Sequence, residues 1–384
     1  MNIQNILTNH ATFEEKTLTN RFFKHEDIIT LINQLPSAFS IAQLGDSYNG
    51  KSINLVKWGN GETKVMIWSQ MHGDEATGTM ALFDLFNFLQ SDNELVKEIN
   101  TNCQLFIIPM VNPDGAEIFT RRNAQQIDIN RDYLKQASKE AKILKNARDE
   151  IKPQFGFNLH DQTTLWSVSK SLKPATLSFL APAYDEELNI NETRKSAMLV
   201  IAKIFEELDE FLPGQIGLFD DEFEPRAFGD NFQKAGTSTI LIEAGGYKDD
   251  LEKQQIRKYY FASILSGLKA ITSKSYQQKE LSNYFAIPKN NKQIFHFLIH
   301  NVMLNDVEVS IGINYEECPI NGGLTTERIY SIEDIGDLSF CDAYKVYSIA
   351  NLKISGDVKI YKLANFSLLQ GDSAILSFQN GLLL

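Results

Sequence analysis

The chain is poor in cysteine: Cys103, Cys318 and Cys341 lie far apart and form no C-x-x-C pair. That excludes a disulfide framework and a thiolate zinc site, and all three are expected to be buried thiols. Nowhere does an uncharged apolar stretch approach the roughly 18 residues that a membrane-spanning helix needs. The opening MNIQNILTNHATFEEK has no basic segment followed by an apolar run and a small-residue cleavage site, so the cytoplasm is the expected location. Cations are the minority, 37 Lys and Arg against 49 Asp and Glu, for a formal charge of −12. Phosphate binding needs clustered Lys and Arg, so neither nucleic acid nor an anionic membrane is expected as a partner. Internal repeats and low-complexity tracts are also missing.

What remains is the composition of a soluble globular protein, 43% hydrophobic and 22% charged over 384 residues. Such a length suits one large α/β domain, or a large domain with a smaller one. Four short apolar runs rich in β-branched residues stand out: KVMIWSQ (64–70), QLFIIPMVN (104–112), FGFNLH (155–160) and TSTILIEAGG (237–246). Runs of this kind suit strands buried on both faces. Helix-like stretches lie between and after them at 77–90, 138–151, 192–212 and 251–271, and the alternation predicts an open α/β sheet. Beyond about residue 275 helix signals nearly vanish. KQIFHFLIHNVML, DVEVSIGINYE, AYKVYSIANLKISG, DVKIYKLANF and SAILSFQNGLLL read as short strands, so a boundary is placed within 273–292. A catalytic domain over 1–275 and a small β-rich domain over 285–384 are expected.

The polar residues that end these runs are more informative than the runs. His72 and Glu75 follow the first, NPDG (112–115) the second, His160 ends the third, and Glu243 lies near the end of the fourth. Ligands of open α/β sheets bind beyond the carboxyl ends of the strands, so these segments would meet in one crevice. Singly, each has a structural explanation, as a polar turn, a hydrogen-bonded histidine or a strand-end carboxylate. Together, His72, Glu75 and His160 make the His₂Glu set that holds a catalytic zinc and leaves one position for water. Water so bound is acidic enough to act as nucleophile, and Glu243, set in the apolar string ILIEAGG where an unpaired charge is costly, could carry its proton to a leaving amine. Arg121 could stabilise an oxyanion. Asn130 and Arg131 could hold a substrate's free α-carboxylate, with salt bridges to Asp128 or Asp132 as the structural alternative for both arginines.

In their order, H-x-x-E at 72–75, NPDG, Arg121, Asn130-Arg131, His160 and the glutamate of TILIEAGG, the sequence resembles the zinc carboxypeptidases of the M14 group. AQLGDSYNGKSINLVKWG (42–59) looks like that family's opening hairpin, and the resemblance covers roughly residues 30 to 270. It implies a three-layer α/β/α domain with a mixed, largely parallel sheet, and one zinc ion per chain on His72, Glu75 and His160. It further implies that Arg121 polarises the scissile carbonyl, that Asn130 and Arg131 hold the terminal carboxylate, and that Glu243 is the general base and acid. The substrate is then a peptide or small amide with a free α-carboxylate.

One departure is that no tyrosine occurs between Tyr184 and Tyr247, where digestive members carry a mobile one. The loop 217–236 instead offers Arg226, Phe228 and Phe232. Arg226 could attract an acidic terminal side chain, with pairing to Asp220, Asp221, Glu222 or Glu224 as the alternative. Two other functions stay open: a zinc deacylase of N-acyl amino acids, and a non-catalytic zinc-binding module. His296 and His300 in IFHFLIH share a strand face and are read as packing residues, while the β domain could cover a sheet edge, bind a ligand or join copies of the chain as a homo-oligomer.

Overall fold

Residues 3–349 and 352–384 are described here in a computed structural model of the chain. The strands of the first sheet are β1 (Ser40–Asp46), β2 (Ser52–Trp58), β3 (Thr63–Ser69), β4 (Cys103–Ile108) and β5 (Phe155–Asp161). They continue with β6 (Leu177–Leu180), β7 (Ile216–Leu218) and β8 (Ser238–Ala244). Their spatial order is β1-β2-β4-β3-β5-β8-β6-β7. The four apolar runs are β3, β4, β5 and β8, which lie side by side and parallel. β1 and β2 form an antiparallel hairpin at one edge, and β6 returns antiparallel beside β8. The sheet is therefore mixed, with a parallel centre.

Alternation along β3 shows how the layers are cemented. Val65 and Ile67 enter a core shared with the helices α1 (Thr77–Leu89), α3 (Glu192–Leu208) and α5 (Gln254–Thr272). Met66 and Trp68 point the other way, to α2 (Lys139–Ile151) and α4 (Phe228–Lys234), where Trp68 meets Phe232 edge to face at 5.1 Å. Helix α1 is buried on all sides, yet it contains Asp84. That carboxylate is compensated by Arg257 Nε and His10 Nε2, each at 2.8 Å. Among the described residues no helix is long and apolar enough to cross a membrane.

The second sheet begins at Ile294. Its strands are β9 (Ile294–Leu304), β10 (Val307–Ile320), β11 (Thr325–Gly336), β12 (Asp342–Tyr347), β13 (Leu352–Asp357), β14 (Asn365–Gln370), β15 (Ser373–Gln379) and β16 (Leu382–Leu383). Phe297, Ile299, Ile311, Ile332, Phe366 and Phe378 belong to a separate core. Two expectations need correction. DVKIYKLANF is chiefly a connection, with Tyr361 at φ 60° and regular pairing resuming only at Asn365. Of the cysteines only Cys103 is buried. Cys318 is exposed, because it lies where the long β10–β11 hairpin runs past the core of its sheet.

Several contacts fasten this sheet to the first domain. Arg21 donates both terminal nitrogens to Glu317, each at 2.9 Å. Lys24 Nζ links the carbonyls of Glu117 (2.7 Å) and Gly323 (2.8 Å), tying the hairpin tip to the segment before Arg121. The Tyr344 hydroxyl donates to Thr164 O at 2.7 Å. It also lies so close to Gly246 that a Cβ there would meet it at 1.7 Å. The second domain thus rests on the segments that follow β5 and β8.

Candidate metal centre and substrate cleft

Local geometry carries the first two candidate residues out of β3. Gln70 takes a left-handed backbone (φ 52°), and its side chain stabilises the turn by donating to Gly73 O at 2.9 Å and accepting from Thr79 at 2.9 Å. Such a conformation in a non-glycine residue costs energy and persists only where its surroundings hold it. Gly73 then lies against the backbone of Gly115, where any Cβ would come within 2.1 Å. H-x-x-E and NPDG are accordingly one packed unit. Within NPDG, Asn112 caps the short helix Pro113–Glu117, accepting from Gly115 N at 2.9 Å, with proline in the first turn where no N–H is needed. The same Asn112 donates to Arg121 O at 3.3 Å and so helps to position that arginine.

His72, Glu75 and His160 present ligand atoms within 4.8 Å of one another, all three buried. Nδ1 of His72 lies 2.6 Å from one Glu75 oxygen, and Nδ1 of His160 lies 2.6 Å from the other. Burial opposes ionisation of Glu75, but the two imidazoles outweigh it and hold its pKa well below the usual carboxylate range. Burial likewise disfavours charge on His72, yet Glu75 and Asp128 raise its pKa; at His160 burial prevails and the pKa falls. A species that accepts two imidazole lone pairs and a carboxylate, in place of the protons now shared between them, is a divalent metal ion, so the donor set fits zinc.

The sequence reading did not give Asp128 a role at the metal. Its Oδ1 lies 3.1 Å from His72 Nε2, its Oδ2 accepts from Arg121 Nε at 3.0 Å, and its Oδ1 also accepts from Asn130 N at 3.0 Å. One carboxylate thereby orients a candidate ligand, a candidate oxyanion donor and the Asn-Arg pair, and it fixes the His72 tautomer that turns Nδ1 inward. The available signal was the string Asp128-Ile-Asn-Arg, which the reading treated only as a salt-bridge alternative. Arg121 completes the arrangement, with Nη1 3.2 Å from His72 Nδ1 and 3.3 Å from Glu75 Oε1.

Glu243 and His160 are register partners on neighbouring parallel strands. Oε2 of Glu243 is buried and finds no hydrogen-bond partner among the described residues. Burial, then the charges of Glu75 and Asp161, push its pKa well above the ordinary value, against the opposing pull of Lys253 and Arg121.

Asn130 accepts from Phe228 N at 3.0 Å, which occupies its carbonyl oxygen and leaves its NH₂ group for an acceptor. Arg131 is half exposed, with Nε 3.2 Å from Glu224. Arg226 is diverted: Nε and Nη2 reach Glu224 at 2.8 and 2.6 Å, so the anion two residues before it takes the fork suggested for a substrate. Tyr133 packs edge on to Phe228 at 5.2 Å. His296 and His300 lie in the second domain, where His296 is buried against the first domain and His300 Nδ1 meets Ser310 Oγ at 2.9 Å.

From Glu75 and Arg121 a cavity of about 910 Å³ runs between the two domains, lined on the far side by Tyr315, Arg328 and Tyr344 among others. That volume is at the upper end for a small-molecule site.

Comparison with known proteins agrees with this geometry. A family model described as zinc carboxypeptidase matches residues 25–174. Carboxypeptidase 2 of Trichophyton rubrum is 28% identical over 102 residues, 26% of this chain and 19% of that protein. The human carboxypeptidase N catalytic chain is 23% identical over 143 residues, 30% of this chain and 31% of its own length. The chain thus spans about a fifth to a third of these relatives. A metallo-carboxypeptidase structure from Burkholderia cenocepacia superposes with a TM-score of 0.52 at 17% identity, covering 66% of this chain and 69% of the other, which speaks to the fold.

Proposed function

We propose that this chain is a zinc carboxypeptidase of the M14 group, to whose family model residues 25–174 are similar, and that it hydrolyses the C-terminal amide bond of short peptides, with the cytoplasm as its expected place of action. The observation that carries this reading is the gathering of His72, Glu75 and His160 within 4.8 Å, beside a buried Glu243 oxygen with no partner among the described residues. His72, Glu75 and His160 would hold one zinc ion per chain, which when bound supplies an acidified water and a Lewis acid for the scissile carbonyl.

The other roles fall to side chains. Glu243, its carboxyl raised by burial and neighbouring anions, suits a group that removes a proton from the attacking water and delivers it to the leaving amine. The guanidinium of Arg121, anchored through Nε on Asp128, faces the charge that develops on the carbonyl oxygen. The NH₂ of Asn130 and Nη2 of Arg131, whose Nε and Nη1 are engaged by Glu224 and Asn130 O, would bind the substrate's α-carboxylate. Arg226 is left out of this scheme, since Glu224 engages it.

A second reading, hydrolysis of N-acyl amino acids at the same site, is favoured by the wall that the second domain places across the cleft. Incubating zinc-loaded protein with a library of short peptides and a matched set of acyl-amino acids decides between them. Free C-terminal residues released by the wild type, but not by a zinc-containing Glu243→Gln protein, support the peptidase. Release confined to the acyl-amino acids replaces it with the deacylase.

A further inference from the structure

We propose that the inter-domain cavity is an upstream subsite selecting substrates that carry a free primary amine next to the scissile carbonyl, as a dipeptide does. The inference rests on the reading that Asn130 and Arg131 hold the α-carboxylate. Neither of those residues lines the cavity, whereas Glu75 and Arg121 do. A substrate anchored at its carboxylate therefore extends, beyond the scissile bond, into this space.

The inner end of the cavity is acidic and short of donors. Asp74 immediately precedes Glu75, and the backbone N–H of Asp161 donates to Glu75 Oε2 at 3.1 Å, so the two aspartates flank that carboxylate. Oδ1 of each is buried and finds no hydrogen-bond partner among the described residues, and the Asp161 side chain is only 6% exposed. Both line the cavity. Nearby cations are already engaged. Lys253 Nζ is 3.0 Å from Asp161 Oδ2 and 3.0 Å from Ala244 O, Arg121 is held by Asp128 and Glu75, and Arg21 by Glu317. Of the two remaining lining cations, Arg328 lies over the Tyr315 ring and Lys345 over that of Phe297.

Two buried acceptors without donors are costly, and an ammonium group offers three N–H donors and the complementary charge. In a dipeptide the amine is two bonds from the scissile carbonyl, which places it beside Glu75. N-acylation or a longer chain puts there a neutral amide with a single N–H. The cavity beyond is a fixed wall, since Tyr344 packs on Gly246 and bonds Thr164 close to Glu243 and His160. It would receive the side chain of the amino-terminal residue.

The experiment compares a dipeptide ending in the residue most readily released with its N-acetyl form, by kcat/KM on zinc-loaded wild type, Asp74→Asn and Asp161→Asn. Calorimetric binding of the same pairs to Glu243→Gln protein, with and without each aspartate change, runs in parallel. Asp161→Asn also touches Lys253 and Thr77, so Asp74→Asn, whose side chain makes no hydrogen bond to another residue among the described residues, keeps the test interpretable if the other fails to fold. Wild type is expected to favour the free amine by about 10- to 100-fold, the effect of one charge-assisted hydrogen-bonded contact. Each aspartate change should pull that ratio towards one. Equal handling of both forms by the wild type, or a ratio that neither variant moves, overturns the inference. Amine-selective binding without hydrolysis of any peptide would instead refute the carboxypeptidase reading and leave this one standing.

Discussion

His296 should make the docking of the second domain depend on pH. Tyr315 N–H donates to its Nδ1 at 3.0 Å, so Nδ1 is an acceptor and the ring proton resides on Nε2, 2.8 Å from Thr164 Oγ1. The ring is stacked on Tyr315 at 3.6 Å and faces Tyr344 at 5.6 Å. A second proton has no site without losing the Tyr315 bond. Burial pushes the pKa from 6.5 down to about 3, with Glu317 opposing and Arg328 assisting. The sign follows from linkage: a folded pKa below the unfolded one makes the stabilisation complete above 6.5, and it is lost as pH falls from there towards 3. Between pH 7.5 and 5.0 the unfolded chain gains nearly one proton that the folded chain does not, worth about 2 kcal/mol. His296→Phe keeps the stack and removes the titration. Denaturant unfolding of both proteins at the two pH values reads the difference. The variant is expected to be the less stable at pH 7.5, by about 1–3 kcal/mol for the stranded Tyr315 N–H and Thr164 hydroxyl. That deficit should shrink by about 2 kcal/mol at pH 5.0. A deficit equal at both values would refute the assignment of a neutral, acceptor Nδ1.

Other expectations follow from the centre and the core. Asp128→Asn, which weakens the support of His72 and Arg121 together, should reduce zinc affinity about 10- to 100-fold in a competition assay with a chelator. Glu243→Gln should retain zinc and lose turnover by about 10²- to 10⁴-fold, read as amino acid released per bound metal. Arg131→Ala should raise KM by about 10- to 100-fold for substrates with a free α-carboxylate and leave C-terminal amides unaffected. Arg257→Met, which leaves Asp84 inside α1 with only His10 and the Glu15 N–H as partners among the described residues, should cost about 3–5 kcal/mol in urea unfolding.

The central strands were legible because burial on both faces leaves a run of apolar residues that needs no knowledge of partners. Three of the four runs emerged as strands within a residue or two of their ends, FGFNLH as Phe155–Asp161 and TSTILIEAGG as Ser238–Ala244, whereas QLFIIPMVN stops pairing at Ile108, before its proline. The short strands β6 and β7 have four and three residues, too few for a pattern. β11 escaped notice because only Tyr330 and Ile332 are buried in TTERIYSIEDIG, while its polar positions face outward. DVKIYKLANF misled in the opposite direction, since Val358 and Ile360 imitate alternation in a segment that, between Asp357 and Asn365, has only an isolated bridge from Leu363 to Ser331 among the described residues.

For the site, the same logic separates what could be read from what could not. His72, Glu75, His160 and Glu243 each follow or end a recognisable run, and parallel strands deliver their ends to one edge, so the sequence itself implied a meeting. The wall of the cleft has no such regularity. Arg21 pairs with Glu317, Thr164 with His296 and Tyr344, and Gly246 with Tyr344. These partners are joined by no period or motif, and each is an ordinary residue until the domains dock. Docking in turn selects their chemistry: a neutral imidazole at 296, because Tyr315 and Thr164 demand one acceptor and one donor, and a glycine at 246, because the Tyr344 hydroxyl occupies the place of a side chain. The second sheet therefore supplies one wall of the cavity beside Glu75 and Arg121, and a change at either position should alter the shape of that wall.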